Sequence, residues 1–123
     1  MAPDARRYAA IVAPLDPAVN AFEAKSAALA RNASVDDFVA IASPLAETVA
    51  AVDRQLRASE WPPSSRADVR SELAADRALT AYLRGTLDVT LILSVWRHQI
   101  VGAAARAQAA ERRVTVELAR PPT

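Results

Sequence analysis

The stretch that decides the fold is residues 34–65, which read SVDDFVAIASPLAETVAAVDRQLRASEWPPSS. Ser34 is a residue type that caps helices, and Asp37 follows three residues later, where a capping box places its acidic partner. Side chains that suit a core then recur every three or four residues, which predicts one face of a helix. That stripe comprises Phe38, Ile41, Leu45, Thr48, Val52 and Leu56. Because consecutive prolines cannot continue a helix, the Trp-Pro-Pro at 61–63 ends it, and we predict a helix over 34–59.

The same periodicity recurs on both sides of this segment and predicts three further helices, over residues 4–31, 65–87 and 90–119. The first contains Pro14 and Pro17, each of which removes a backbone donor. Since its stripe keeps its phase across both prolines, we predict one kinked helix, with a break near Pro14 as the alternative. The connections are short, which makes successive helices antiparallel neighbours. The predicted fold class is therefore all-α, an antiparallel up-down-up-down four-helix bundle.

Composition agrees with this prediction. A chain of 123 residues fits a single domain over 1–123, and it has only two glycines, the ordinary residue least suited to helices apart from proline. The chain has no cysteine, which excludes disulfides and thiolate chemistry. Its net charge of +1 provides no overall field for nucleic acid or a membrane.

The sequence has no arrangement that demands catalysis, so we predict no catalytic residue, no metal site and no cofactor. His98 is the single histidine, whereas zinc sites and serine-type triads need several converging groups. A di-iron bundle needs Glu-x-x-His motifs on two helices, and a phosphate loop needs glycines before a helix. Nucleic acid is not an expected partner, because the arginines are interleaved with acids and no helix-turn-helix motif is present.

A polar layer at mid-height of the bundle is the first candidate site. Thr48, Asp76 and Thr80 stand at stripe positions where leucine is expected. A buried carboxylate is costly without a partner, so we expect Asp76 to bond to an arginine, a hydroxyl or a tryptophan N–H. The alternative is that these residues line a small polar pocket in the core.

The second candidate is a partner-binding surface at one end of the bundle. The predicted topology brings together the N-terminus of the first helix and the C-terminus of the last, and both are rich in arginine. Trp61 precedes two prolines in a loop, where it either covers the end of the bundle or anchors a partner. The residues of this candidate surface are Arg6, Arg7, Trp61, Arg112, Arg113 and Arg120.

Five short motifs resemble a known group of proteins. They are YAAIVAP at 8–14, FEAK at 22–25, ASPLA at 42–46, WP at 61–62 and DRAL at 76–79. Together they resemble small helical domains of actinobacterial exported proteins and lipoproteins of unknown function. The resemblance implies a cell-envelope location, with membrane-surface association through a lipid anchor, and no established catalysis. The chain has neither an export signal nor a lipobox cysteine, so it is either an exported domain whose signal was removed or a cytoplasmic protein.

These observations favour a non-enzymatic cell-envelope or accessory domain that binds a protein or lipid partner, with no transmembrane segment and an open oligomeric state. Two alternatives remain, a small all-helical enzyme similar to chorismate mutase and a cytoplasmic partner-binding bundle. Guanidinium groups converging on one cavity would favour the enzyme, because such a site must hold a dicarboxylate. Arginines on the surface of an apolar core would favour a binding domain.

Overall fold

The computed structural model describes residues 2–29, 33–85 and 93–120, without the side chains of residues 35, 85 and 93–97. Within these ranges the chain is helical apart from short connections and contains no strand, which confirms the all-α fold class. The elements are α1 Pro3–Val12, α2 Leu15–Ala27, α3 Val35–Ala58, a 3₁₀ turn Pro63–Ser65, α4 Arg66–Gly85 and α5 Leu93–Ala119.

The first predicted helix is divided in two at Ala13 and Pro14. Both residues keep right-handed helical dihedral angles, with φ and ψ of −50° and −36° at Ala13 and of −72° and −14° at Pro14. The chain therefore continues as a helix while the hydrogen-bond ladder is interrupted, because Pro14 and Pro17 have no N–H to donate. This is the alternative of a break near Pro14. One face stays buried across it, comprising Tyr8, Ile11, Val12, Leu15, Val19 and Phe22.

The predicted capping box at the start of α3 is confirmed. The Ser34 amide donates to the Asp37 carboxylate at 2.9 Å, and the Asp37 amide donates to the Ser34 hydroxyl at 3.2 Å. The helix ends at Ala58, before the prolines, as predicted. The tight connection expected near 86–90 lies outside the described residues.

The core is built from the facing sides of all the helices. The most extensive contacts join α4 to α5, and α3 contacts both α4 and α2. On α5 the buried face consists largely of alanine, with Ile100, Ala103, Ala104, Ala107, Ala110, Val114 and Leu118. Small side chains let neighbouring backbones lie close together, so this face should tolerate little added volume. The up-down-up-down order of the helices stays a prediction.

We therefore expect Ala103→Leu to lower the free energy of unfolding by about 1–3 kcal/mol, because three added carbon atoms must force their way into a filled core. Ala103 is buried, whereas Ala105, on the same helix, is exposed. Ala105→Leu is therefore the matched control and should change stability by less than about 0.5 kcal/mol. Urea denaturation of both variants checks this. Equal stability of the two variants would show that this face of α5 is loosely packed.

Candidate functional site

Two acidic side chains of α4 lie in the interior of the bundle. Glu72 is 0% exposed and Asp76 is 1% exposed. The buried positions of this helix are Val69, Glu72, Asp76, Leu79 and Leu83, spaced three or four residues apart as one helical face requires. The core face of α4 therefore presents two carboxyl groups one turn apart.

Asp76 faces a third buried acid, Asp53 of α3, which is 8% exposed. Taken as ionised carboxylates, both oxygens of Asp76 and one of Asp53 lack a hydrogen-bond donor among the described residues. The two carboxyl groups are nevertheless placed to hydrogen-bond to each other. A hydrogen bond between two carboxyl groups requires a proton on one of them, so this pairing accounts for part of the raised pKa of Asp76.

Glu72 bonds to a tyrosine of α1. The Tyr8 hydroxyl lies 2.6 Å from Glu72 Oε2 and 3.3 Å from the backbone carbonyl oxygen of Glu111 on α5. The second Glu72 oxygen, Oε1, has no donor among the described residues. Asp53, Glu72, Asp76 and the nearby Glu111 are called the carboxyl cluster below, and the Tyr8 hydroxyl joins three helices at its edge.

Burial raises the pKa of every member of this cluster, since the charged form is disfavoured away from water. Burial, then the hydrogen bond and charge of Asp53, raise the pKa of Asp76 to about 9. Burial raises the pKa of Glu72 to about 7 in spite of the hydrogen bond from Tyr8, which lowers it. Near neutral pH, Asp76 is therefore protonated and Glu72 is close to its midpoint.

Burial also raises the pKa of Glu111, Asp53 and Tyr8, and in the two acids nearby groups act in the opposite direction. Burial and the charge of Asp16 raise the pKa of Glu111 to about 7, against the lowering effect of Arg112. Burial raises the pKa of Asp53, against the hydrogen bond with Asp76 and two nearby arginines. Burial and Glu72 raise the pKa of the Tyr8 hydroxyl, which stays protonated.

The observed cluster differs from the predicted polar layer. Asp76 is in the core as predicted, but its neighbour is a carboxyl group and not an arginine, a hydroxyl or a tryptophan N–H. Thr80 is only partly buried. Thr48 is also partly buried, and its hydroxyl donates to the Pro44 carbonyl oxygen of its own helix at 2.9 Å. Val49 takes the fully buried place on α3.

The sequence reasoning missed Tyr8, Asp53 and Glu72 as parts of one site. The spacing of Val69, Leu73, Asp76 and Thr80 predicts that Leu73 lies on the core face of α4, but Leu73 is only partly buried and its neighbour Glu72 is buried instead. The signal that was available is the spacing of Glu72 and Asp76, which puts two acids one turn apart on the face that holds Val69. Three-dimensional contacts alone reveal that Tyr8 reaches them from α1.

The cluster does not have the geometry of a metal centre. Among the described residues no group of three or more histidines or acids is placed to hold a metal ion. His98 is exposed on α5, away from the buried face of that helix.

A groove of about 430 Å³ lies beside Trp61, between the end of α3 and the start of α4. Its lining combines apolar side chains with three arginines and one acid. We call it the Trp61 groove, and it is lined by Leu56, Arg57, Ser59, Glu60, Trp61, Arg66, Val69, Arg70 and Leu73.

Trp61 itself is 6% exposed and is held from several sides. Its indole N–H donates to the Leu56 carbonyl oxygen at 3.0 Å, and Arg66 Nε donates to the Trp61 carbonyl oxygen at 3.1 Å. The Arg7 guanidinium lies 4.5 Å from the centroid of the indole ring and also donates to the Glu60 carbonyl oxygen. Trp61 is therefore packed against α1 and the end of α3, and its role as a cover for the end of the bundle or as an anchor for a partner stays a prediction.

The predicted arginine surface is only partly assembled. Arg112, Arg113 and Arg120 line a second groove of about 380 Å³, together with Asp68 and Glu117. Arg120 pairs with Glu117 at 3.1 Å. Arg7 contacts Trp61 and pairs with Asp4 at 3.1 Å, whereas Arg6 is exposed on α1.

No family model, curated protein or solved structure matches the chain. The argument for function therefore depends on the residues and geometry described above.

We expect Tyr8→Phe to lower the free energy of unfolding by about 1–3 kcal/mol, because it removes the hydroxyl that bonds to Glu72 in the core. Tyr82→Phe is the matched control, since Tyr82 is 36% exposed. Urea denaturation at pH 7 measures both variants. If Tyr8→Phe were as stable as the control, the buried hydrogen bond would contribute nothing to folding.

Proposed function

We propose that this chain is a non-enzymatic accessory domain that binds a protein partner in the Trp61 groove. The occupant is an acidic segment of that partner with at least one apolar side chain. The observation that carries the proposal is the lining of the groove. Arg57, Arg66 and Arg70 stand around an apolar base formed by residues such as Leu73.

Charge complementarity argues for an acidic occupant. Guanidinium groups bind carboxylates through paired N–H donors, and three of them around one groove select against basic segments. The apolar part of the lining provides the second requirement, because the core of a protein interface is its apolar part and burial of an aliphatic side chain there is favourable. Arg66 is already held by its bond to the Trp61 carbonyl oxygen, so less freedom is lost when a partner binds.

Several features favour binding over catalysis. Glu72 and Asp76, whose pKa values are raised, are 0% and 1% exposed and out of reach of a substrate, whereas Glu111 is partly buried. A chorismate mutase-like site would need arginines converging on an interior cavity that accepts a dicarboxylate. Among the described residues, the buried ionisable side chains are Tyr8, Asp53, Glu72 and Asp76, and no arginine is buried.

A protein partner suits this groove better than a lipid surface. Membrane-surface binding uses aromatic and aliphatic side chains that project into the headgroup region. Trp61 is instead packed into the bundle beside a concave surface. In the described part of the chain, no helix is both long and apolar enough to cross a bilayer. The cell-envelope location implied by the sequence resemblance is part of the proposal and awaits its own test.

Binding can be measured by titrating the protein with a capped peptide of glutamate and leucine. The matched peptide of glutamine and leucine should bind more weakly, and added salt should weaken the acidic peptide further. Arg70→Glu should raise the Kd for the acidic peptide by about tenfold or more, because it replaces an attraction with a repulsion.

Arg84→Glu is the control variant with the same change in net charge. Arg84 lies on the same helix but lines a different groove, with Ala42 and Leu83. Equal loss of binding in both variants would mean that net charge and not the groove drives the interaction. If the protein bound vesicles containing anionic lipid and did not bind the peptide, the partner would be a membrane surface and not a protein.

A further inference from the structure

The carboxyl cluster and the Trp61 groove share one side chain. Tyr8 bonds to Glu72 through its hydroxyl, while its ring packs edge-to-face against Trp61, with centroids 5.8 Å apart and ring planes at 81°. Trp61 lines the groove. A change in the cluster that moves Tyr8 therefore reaches the groove through a single aromatic contact.

No arginine or lysine in the described part of the chain forms an ion pair with a member of the cluster, although Arg57, Arg77 and Arg112 lower the pKa of Asp53 or Glu111 through their charge. The ion pairs in the described part of the chain are Arg7 with Asp4 and Arg120 with Glu117, both on the surface. Charged and titratable groups influence the cluster from every neighbouring helix. They are Tyr8 of α1, Asp16 of α2, Asp53 and Arg57 of α3, Glu72, Asp76 and Arg77 of α4, and Glu111 and Arg112 of α5.

Protonation decides how the Tyr8 hydroxyl can bond. When Glu72 is protonated, its O–H donates to the Tyr8 oxygen, and Tyr8 donates to the Glu111 carbonyl oxygen, so both contacts are made. When Glu72 is ionised, Tyr8 must donate its one hydrogen to Glu72, and the Glu111 carbonyl oxygen loses the Tyr8 hydrogen but still accepts from the Thr115 hydroxyl at 3.0 Å. Ionising Asp76 as well would put a second buried charge beside Asp53.

We propose that the carboxyl cluster is a proton-binding site that controls the Trp61 groove. With its protons bound, the cluster holds Tyr8 and Trp61 in the packed arrangement described above. Loss of these protons loosens the packing, displaces Trp61 and weakens binding in the groove. The part of this proposal that concerns the partner depends on the function proposed above, whereas the part that concerns Trp61 does not.

The direction of the pH effect follows from proton linkage. In the unfolded chain these acids ionise near their ordinary pKa of about 4, whereas in the folded chain the pKa of Glu72 is about 7 and that of Asp76 about 9. Between these values the folded state holds more protons than the unfolded state. The stabilisation is therefore complete below the ordinary pKa and is lost as the pH rises through 7 and 9. Each excess proton lowers the folding constant by about tenfold per pH unit.

The first measurement uses 5-fluorotryptophan and ¹⁹F NMR between pH 6 and 9, with urea denaturation at each pH. The Trp61 resonance is assigned from Trp61→Phe. We expect the resonance to shift and stability to fall as the pH rises. Asp76→Asn, which cannot ionise, should flatten both profiles, and Glu72→Gln serves if that variant does not fold.

Glu47→Gln is the control, because Glu47 is exposed on α3, the helix that carries Asp53. It should leave both pH profiles unchanged. A Trp61 resonance and a stability that are constant from pH 6 to 9 in the wild-type protein would overturn the proposal. So would an equal pH dependence in wild type, Asp76→Asn and Glu72→Gln.

The second measurement repeats the titration with the glutamate–leucine peptide at pH 6 and at pH 9, where the peptide and the arginines keep their charges. We expect binding to be about tenfold weaker at the higher pH, and to be equal at both in Asp76→Asn. Peptide binding that does not change with pH would overturn the control of the groove. If no peptide binds but the Trp61 resonance still shifts with pH in wild type and not in Asp76→Asn, the proposed function is wrong and the proton-binding site is supported.

Discussion

The hydrogen bond between the Tyr8 hydroxyl and Glu72 lies where α1, α4 and α5 meet, and the buried acids around it constrain the whole interior. A carboxylate loses several kcal/mol of hydration when it leaves water, and a bundle this small has little stability to spare. With no arginine in an ion pair with Glu72 or Asp76 in the described structure, the proton is what neutralises these groups. The packing of the bundle therefore depends on which acids are protonated.

The rest of the bundle is arranged around that requirement. The small side chains of α5, including Ala103 and Ala107, leave room for α4 to approach with its two acids. Outside the cluster, the Tyr8 ring contacts the Trp61 indole, and the Arg7 guanidinium lies over the indole ring. The interior and the arginine-lined groove are thus connected through Tyr8 and Trp61.

Local sequence rules predicted the helices well, because their signals are local. The Ser34–Asp37 capping box and the prolines after Trp61 fix the ends of α3 without any tertiary contact. Pattern reasoning failed where a polar residue occupies a core position. A stripe of apolar residues assigns Leu73 to the core and Glu72 to the surface, whereas in the structure Glu72 is fully buried and Leu73 is partly buried at the edge of the core. Hydrophobic periodicity places every acidic residue at the surface, so it does not identify a carboxyl group that is buried in its protonated form.

The site was predictable only in part for the same reason. Asp76 could be identified because it interrupts an otherwise apolar stripe. Its partner Asp53 could not, since it follows Val52 on a helix whose exposed face is also rich in charge. Tyr8 is separated from Glu72 by 64 residues, and no local pattern links them. Which acids share a proton is a property of tertiary packing, which the sequence encodes only through the complete fold.

The central claim is that this core is held together by protonated acids. It is tested most directly by following the side-chain carboxyl carbons of ¹³C-labelled protein by NMR as the pH is raised. The structure predicts that Asp76 titrates with a pKa of about 9 and Glu72 with a pKa of about 7. If Asp76 and Glu72 were both ionised by pH 5 in the folded protein, the account would be contradicted.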